Sequence, residues 1–137
     1  MKIENITYLL ARLPIGMSML GHGLIRLTKL QAFSTGMVNE FSKSILPQAL
    51  VMPFSCMLPF LEFAVGILLL AGLFTRFACA LGSAVIVALI FGSSLLEQWN
   101  NVFSQLFYGG YFAVLFLYAS HNYYSIDHLI KNKQQIR

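Results

Sequence analysis

The sequence predicts an all-α integral membrane protein: a bundle of four transmembrane helices with an amphipathic surface helix in the first outer loop. Two observations lead to this class. Hydrophobic residues make up 58% of the chain and charged residues only 10%, whereas a soluble domain carries about 25% charged residues. The apolar residues also form runs long enough to cross a lipid bilayer, which needs roughly 20 residues at about 1.5 Å rise each.

Four segments have this length, and we treat residues 1–137 as a single transmembrane domain. The predicted helices cover approximately residues 6–27, 51–74, 77–96 and 102–119, and a short polar tail follows over 121–137. The first segment is too long for a cleavable signal peptide, Arg12 interrupts it, and no small-residue cleavage site closes it. We therefore expect this segment to be retained as a helix.

The surface helix is predicted within residues 28–50, between the first two spans. An apolar residue recurs there at every fourth position, with polar residues between: Phe33, Met37, Phe41 and Ile45. This pattern is typical of an amphipathic helix that lies in the plane of the membrane surface.

The distribution of positive charge predicts the orientation. Four spans place both termini on one side, together with six cations: Lys2, Arg12, Arg76, Lys131, Lys133 and Arg137. The other side receives three: Arg26, Lys29 and Lys43. Because cytoplasmic segments carry an excess of Lys and Arg, both termini are predicted to be cytoplasmic. The cations form no basic stripe, which argues against nucleic acid as a partner.

Small residues predict where the helices pack, because lipid supplies no hydrophobic drive between them and close contact depends on small side chains. The third span has a stripe of small residues four apart: Ala80, Ala84, Ala88 and Gly92. Gly16 on the first span and Gly66 and Gly72 on the second are further candidates. Such stripes either pack helices within one chain or dock a protein partner, including a second copy of the chain.

Ionisable residues inside the spans are candidate site residues, because a charge in the bilayer is costly. Glu62 lies roughly 16 Å from the outer end of its helix, so its carboxyl group must be protonated or paired. His22 lies at a similar depth, and Arg26 follows on the same helix face. Lys29 is nearly in line with them. Arg12 approaches from the cytoplasmic side, about 10 Å in, and its long stem allows the guanidinium to reach the interface.

This polar core has two interpretations. In the structural one, Glu62 holds the first two helices in register. In the functional one, the cluster binds a proton, a quinone head group or a small anion. No spacing of residues predicts a metal site. Cys56 and Cys79 are about 20 Å apart when the rise is counted through the hairpin, too far for a disulfide.

Several short motifs occur in a fixed order along the first two spans. Arg12 and Gly16 form the first, the stretch from Gly23 to Lys29 forms the second, and the second span carries the others: Glu62, Gly66, Gly72 and Arg76. Over roughly residues 9–90 this pattern resembles the DoxX family of small four-helix bacterial membrane proteins. The resemblance implies a multi-pass protein of the bacterial inner membrane near redox chemistry, because the family is linked to the membrane subunit of a thiosulfate:quinone oxidoreductase.

Three functions follow from these observations. The favoured one is a non-catalytic membrane subunit or anchor that associates with redox or oxidative-stress partners. The second is a quinone-linked oxidoreductase component with a quinone bound around Glu62. The third is binding or transport of a small solute, which needs a cavity among the first two helices. No residue is assigned a catalytic role.

Overall fold

The computed structural model describes residues 2–135, and this part of the chain contains helices and turns but no strand. The helices are α1 (Ile3–Thr28), α2 (Leu30–Phe41), α3 (Gln48–Ala71), α4 (Thr75–Leu95), α5 (Trp99–Leu117) and α6 (Ile126–Gln135). The predicted all-α class is confirmed. Arg137, which contributes to the predicted charge asymmetry, lies outside the described residues.

Within residues 2–135, two helices are long and apolar enough to cross a membrane by length and composition, and these are α3 and α4. α1 and α5 have 26 and 19 residues, but their sequences contain more polar side chains. α1 packs along α3 and also contacts α5, while α4 packs along α5 and also contacts α3. Each of the four long helices therefore has two long neighbours.

α2 packs against α3 instead of lying apart from the other helices. The hydroxyl groups of Ser34 and Ser55 are both buried and share a hydrogen bond of 2.7 Å across this contact. The predicted apolar stripe of α2 is shorter than expected, because the helix ends at Phe41 and Ile45 lies beyond it with 83% of its surface exposed.

Glycines bring α1 and α3 into close contact. A Cβ atom at Gly66 would collide with the backbone of Leu20, and one at Gly23 would collide with the backbone of Phe63. Gly16 lies against Leu69 on the same pair of helices. The small residues predicted on the first two spans therefore lie at this helix contact, where they allow the backbones to approach.

The stripe of small residues predicted on the third span does not lie at a contact between two long helices. Ala80, Ala84 and Ala88 are exposed, and Gly92 is half-buried next to Phe41. The expectation that this stripe packs helices within the chain is therefore corrected. The opposite face of α4 points inward, where Gly82 packs on the ring of Phe112. Two residues correspond to about 200° of rotation around a helix, which places Gly82 opposite Ala80 and Ala84.

We expect Gly66→Ala to destabilise the protein by about 1–3 kcal/mol, because the new methyl group meets backbone atoms that cannot move independently. Gly21→Ala is the matched control, since a Cβ atom at Gly21 has open space around it. The control should leave stability unchanged or raise it by up to about 1 kcal/mol, because alanine favours a helix more than glycine does. Denaturant or thermal unfolding in detergent measures both. Equal stabilities of the two variants would contradict the close contact.

Candidate functional site

An ion pair joins α1 to α3. Arg26 Nη1 lies 2.5 Å from Glu62 Oε1. Glu62 is 4% exposed, whereas the Arg26 side chain is 29% exposed. The guanidinium carbon of Arg26 also lies 4.9 Å from the centre of the Phe33 ring. α2 therefore forms one side of the surroundings of this ion pair. A buried carboxylate is stable in ionised form only when it is paired, and the structure brings a partner to Glu62.

The second oxygen of this carboxylate has no partner among the described residues. Glu62 Oε2 is buried and receives no hydrogen bond, and the same is true of Gln105 Oε1 on α5. The amide nitrogen of Gln105 donates to Ser93 Oγ over 2.9 Å. Buried polar atoms are nearly always satisfied, so these two unsatisfied oxygens, one on α3 and one on α5, indicate a place where something else binds.

His22 lies one turn before Arg26 on α1. Its Nδ1 is 2.8 Å from the carbonyl oxygen of Ser18, and its ring meets the Tyr108 ring edge-on, with 6.3 Å between centroids. The Tyr108 hydroxyl shares a hydrogen bond with Ser18 Oγ. These contacts hold the imidazole at the rim of the site, where the ring is largely exposed.

A cavity of about 230 Å³ lies among these groups. Its polar lining comes from α1, α3 and α5: His22, Arg26, Glu62, Asn101, Ser104, Gln105 and Tyr108. Ile86 and Leu89 of α4 provide apolar walls. We call this cavity the Glu62 recess. The sequence pointed to His22, Arg26 and Glu62 by their depth, but not to Gln105, although a glutamine within an apolar run was a usable signal.

Lys29 is not part of this recess. α1 ends at Thr28, and Lys29 has φ −126° and ψ 35° at the junction with α2. This break interrupts the line of side chains that regular helical spacing would continue. Lys29 is exposed, so the predicted line of His22, Arg26 and Lys29 along one helix face ends at Arg26.

Arg12 belongs to a second polar cluster, roughly 21 Å along α1 from Arg26. It is only 2% exposed, so its side chain does not extend to the interface as expected. Its Nη1 donates to Asn122 Oδ1 over 2.5 Å, and its Nη2 donates to the carbonyl oxygen of Tyr124 over 2.9 Å. The tail after α5 folds back over the guanidinium, which explains the difference from the prediction.

The same tail segment holds the turn between α3 and α4. The Asp127 carboxylate accepts hydrogen bonds from the backbone N–H groups of Phe74 and Thr75, over 2.7 and 2.9 Å. The Asp127 N–H donates to the Gly72 carbonyl over 3.0 Å, and Asn122 Nδ2 donates to Thr75 Oγ1 over 2.8 Å. α6, which the sequence patterns did not predict, therefore begins at this turn.

Gly72 and Arg76 flank the second cluster. Gly72 has φ 65°, a left-handed conformation that favours glycine, and the Arg12 guanidinium occupies the space that a Cβ atom would need. Arg76 is exposed, with its guanidinium 6.0 Å from the centre of the Phe116 ring. The predicted single polar core is thus two clusters, and Arg12, Gly72 and Arg76 lie at the end of the helices opposite the Glu62 recess.

Comparison with protein-family models matches residues 7–94 to the family described as DoxX. The matched interval contains Arg12 of the second cluster as well as His22, Arg26 and Glu62. It ends before Gln105 and before the tail that binds Arg12. The corresponding searches find no matching curated protein and no matching solved structure.

We expect Arg12→Lys to lower the free energy of unfolding by about 2–4 kcal/mol. A lysine ammonium lacks the planar fork that reaches Asn122 and Tyr124 together, and a lost hydrogen bond to a charged group costs about 1.5–3 kcal/mol. Arg76→Lys is the matched control, because an exposed substitution changes stability by about 0.5 kcal/mol or less. Unfolding and limited proteolysis of the tail report the effect. An Arg12→Lys protein as stable and protease-resistant as Arg76→Lys would refute the anchoring role.

Proposed function

Because the chain belongs to the DoxX family of membrane proteins, we propose that it is a multi-pass protein of the bacterial inner membrane and that all four long helices cross the bilayer. The 19 residues of α5 extend about 28 Å, close to the roughly 30 Å hydrocarbon core. Large apolar side chains of α1 and α5 are exposed, including Leu10, Met17, Leu24, Phe103, Leu106 and Phe107. Lipid is the environment that such a surface suits.

The polar residues of α1 and α5 support this proposal, because their partners lie inside the protein. Arg12 is held by the tail, Arg26 is paired with Glu62, and Gln105 is bonded to Ser93. Charged and polar groups in membrane helices face the bundle interior in this way. The mean hydropathy of a helix is lowered by such residues even when their side chains are directed into the protein. The polar residues of α1 and α5 are therefore compatible with membrane-spanning helices.

We further propose that the protein acts as a membrane subunit for redox partners and that the Glu62 recess is its functional site. The supporting observation is the Arg26–Glu62 pair, in which one oxygen of the buried carboxylate is paired and the other has no partner within residues 2–135. A pair that served only to hold two helices together gains nothing from a buried oxygen without a partner. An intramembrane ionisable group with a free atom is a functional candidate.

The ligand class that the recess favours is a quinone head group. Such a ring is flat and apolar, with polar atoms at its edges. Ile86 and Leu89 supply apolar walls, while Arg26, Glu62 and Gln105 supply polar contacts. Sites for small molecules typically combine apolar walls with a few placed polar groups.

The proposed orientation places both termini in the cytoplasm. A fluorescent protein fused to the C-terminus should fluoresce, and alkaline phosphatase at the same position should be inactive. The reverse result should hold for fusions within the segment that joins α2 to α3. Phosphatase activity from the C-terminal fusion would show that the orientation is inverted.

We expect Glu62→Gln to reduce the quinone that co-purifies with the protein by about tenfold, because the charge-assisted contacts in the recess are lost. Glu4→Gln makes the same chemical change at an exposed residue on the opposite end of α1 and should retain the wild-type content. Lipid extraction and chromatography measure the quinone, and thermal unfolding of the same samples verifies folding. Wild-type protein without quinone, or a folded Glu62→Gln protein with the full amount, would contradict this function.

A further inference from the structure

The unsatisfied buried atoms at the Glu62 recess, within residues 2–135, are Glu62 Oε2 and Gln105 Oε1. The amide oxygen of Gln105 is an acceptor, and so is Glu62 Oε2 in the ionised form that pairing with Arg26 favours. His22 Nδ1 faces a carbonyl oxygen, so Nδ1 carries the proton, and in the neutral ring Nε2 is an acceptor. A ligand that satisfies these atoms must bring a hydrogen-bond donor. A hydroxyl group meets this requirement, whereas a ketone or an ester does not.

A second cavity adjoins the recess and has a more apolar character. Its volume is about 360 Å³, and it shares four lining residues with the recess: Arg26, Leu89, Asn101 and Gln105. Phe33 and Phe41 of α2 line one side, and Phe54 of α3 lines another. The polar recess and the apolar cavity together provide space for an amphipathic molecule with a polar head group and an apolar chain.

The apolar cavity is partly open, and five of its lining residues are exposed: Glu40 on α2, Leu50 on α3, Ala88 and Phe91 on α4, and Asn101 on α5. The three apolar ones, Leu50, Ala88 and Phe91, lie on α3 and α4. These positions lie at the end of the α3–α4 hairpin away from its turn, and α3 and α4 are the two helices with the composition of membrane spans. We call the apolar edge at Leu50, Ala88 and Phe91 the lateral opening, because its composition suits contact with lipid. Ala88 contributes only a small side chain to it.

On the basis of the proposed function, we propose that the ligand is an amphipathic alcohol or phenol that enters from the bilayer through this opening. Its hydroxyl group donates to Glu62 Oε2 in the recess, and its long apolar chain occupies the cavity between α2, α3 and α4. For a quinone-class ligand, the reduced dihydroxy form is the one that the recess prefers, because only that form carries donors.

Ala88→Trp tests the route of the chain. The indole blocks the opening, and because Ala88 is exposed the substitution does not enter the core. Ala80→Trp is the matched control: it makes the same change on the same exposed face of α4, about 12 Å away, and Ala80 lines neither cavity. The probes are decyl-benzoquinol and methyl-benzoquinol, which share a ring and differ in the chain, with protein reconstituted in lipid nanodiscs.

We expect Ala88→Trp to weaken binding of decyl-benzoquinol by about tenfold or more, since loss of two buried methylene groups already corresponds to about that factor. Binding of methyl-benzoquinol should change less than about twofold, and Ala80→Trp should bind both probes as the wild type does. Methyl-benzoquinol should also bind the wild type about tenfold more tightly than methyl-benzoquinone.

The outcomes separate this inference from the function on which it rests. If Glu62→Gln abolishes binding of both quinols but Ala88→Trp affects neither or both equally, the recess is a ligand site and the lateral route is wrong. Equal affinity for the quinol and the quinone would overturn the preference for a donor. If Glu62→Gln leaves the binding of both quinols unchanged, the proposed function itself fails.

Discussion

The buried guanidinium of Arg12 connects three parts of the chain that are far apart in sequence. Removing a charge from water costs several kcal/mol unless hydrogen bonds replace the lost hydration, and the replacements here are Asn122 and Tyr124 of the tail. Asn122 also bonds to Thr75 at the α3–α4 turn. The tail therefore links Arg12 of α1 to the turn between α3 and α4 at this end of the structure.

The opposite end is held together differently, and this difference gives it room for a site. Close backbone contact at Gly23 and Gly66 fixes the position of α1 along the axis of α3. Arg26 consequently lies beside Glu62. The tail contacts the turn of the α3–α4 hairpin, whereas no tail residue up to residue 135, where the described chain ends, lines either cavity. The two cavities lie at the other end of the hairpin, and α2 contributes to the lining of the apolar one.

The sequence allowed prediction of features that depend on position along one helix. The four long helices followed from apolar length, and the meeting of His22, Arg26 and Glu62 followed from depth at a fixed rise per residue. It did not allow prediction of features that depend on rotation about the helix axis. Both faces of a membrane helix are apolar, so the spacing of Ala80, Ala84 and Ala88 could not reveal that this face points outward. The contacts of Arg12 were also missed, because its partner Asn122 lies 110 residues away.

The two interpretations of Glu62 that the sequence left open concern different atoms of one carboxylate. Oε1 accepts from Arg26 and joins α1 to α3, which is the structural role. Oε2 is buried beside the recess and has no hydrogen-bond partner in the described part of the chain, and it is the atom that the proposed function uses. Pairing at one oxygen favours the ionised form of the group inside the protein, and an ionised carboxylate is a strong acceptor at its other oxygen. The structural contact is therefore a condition for the proposed binding role, and the two need not compete.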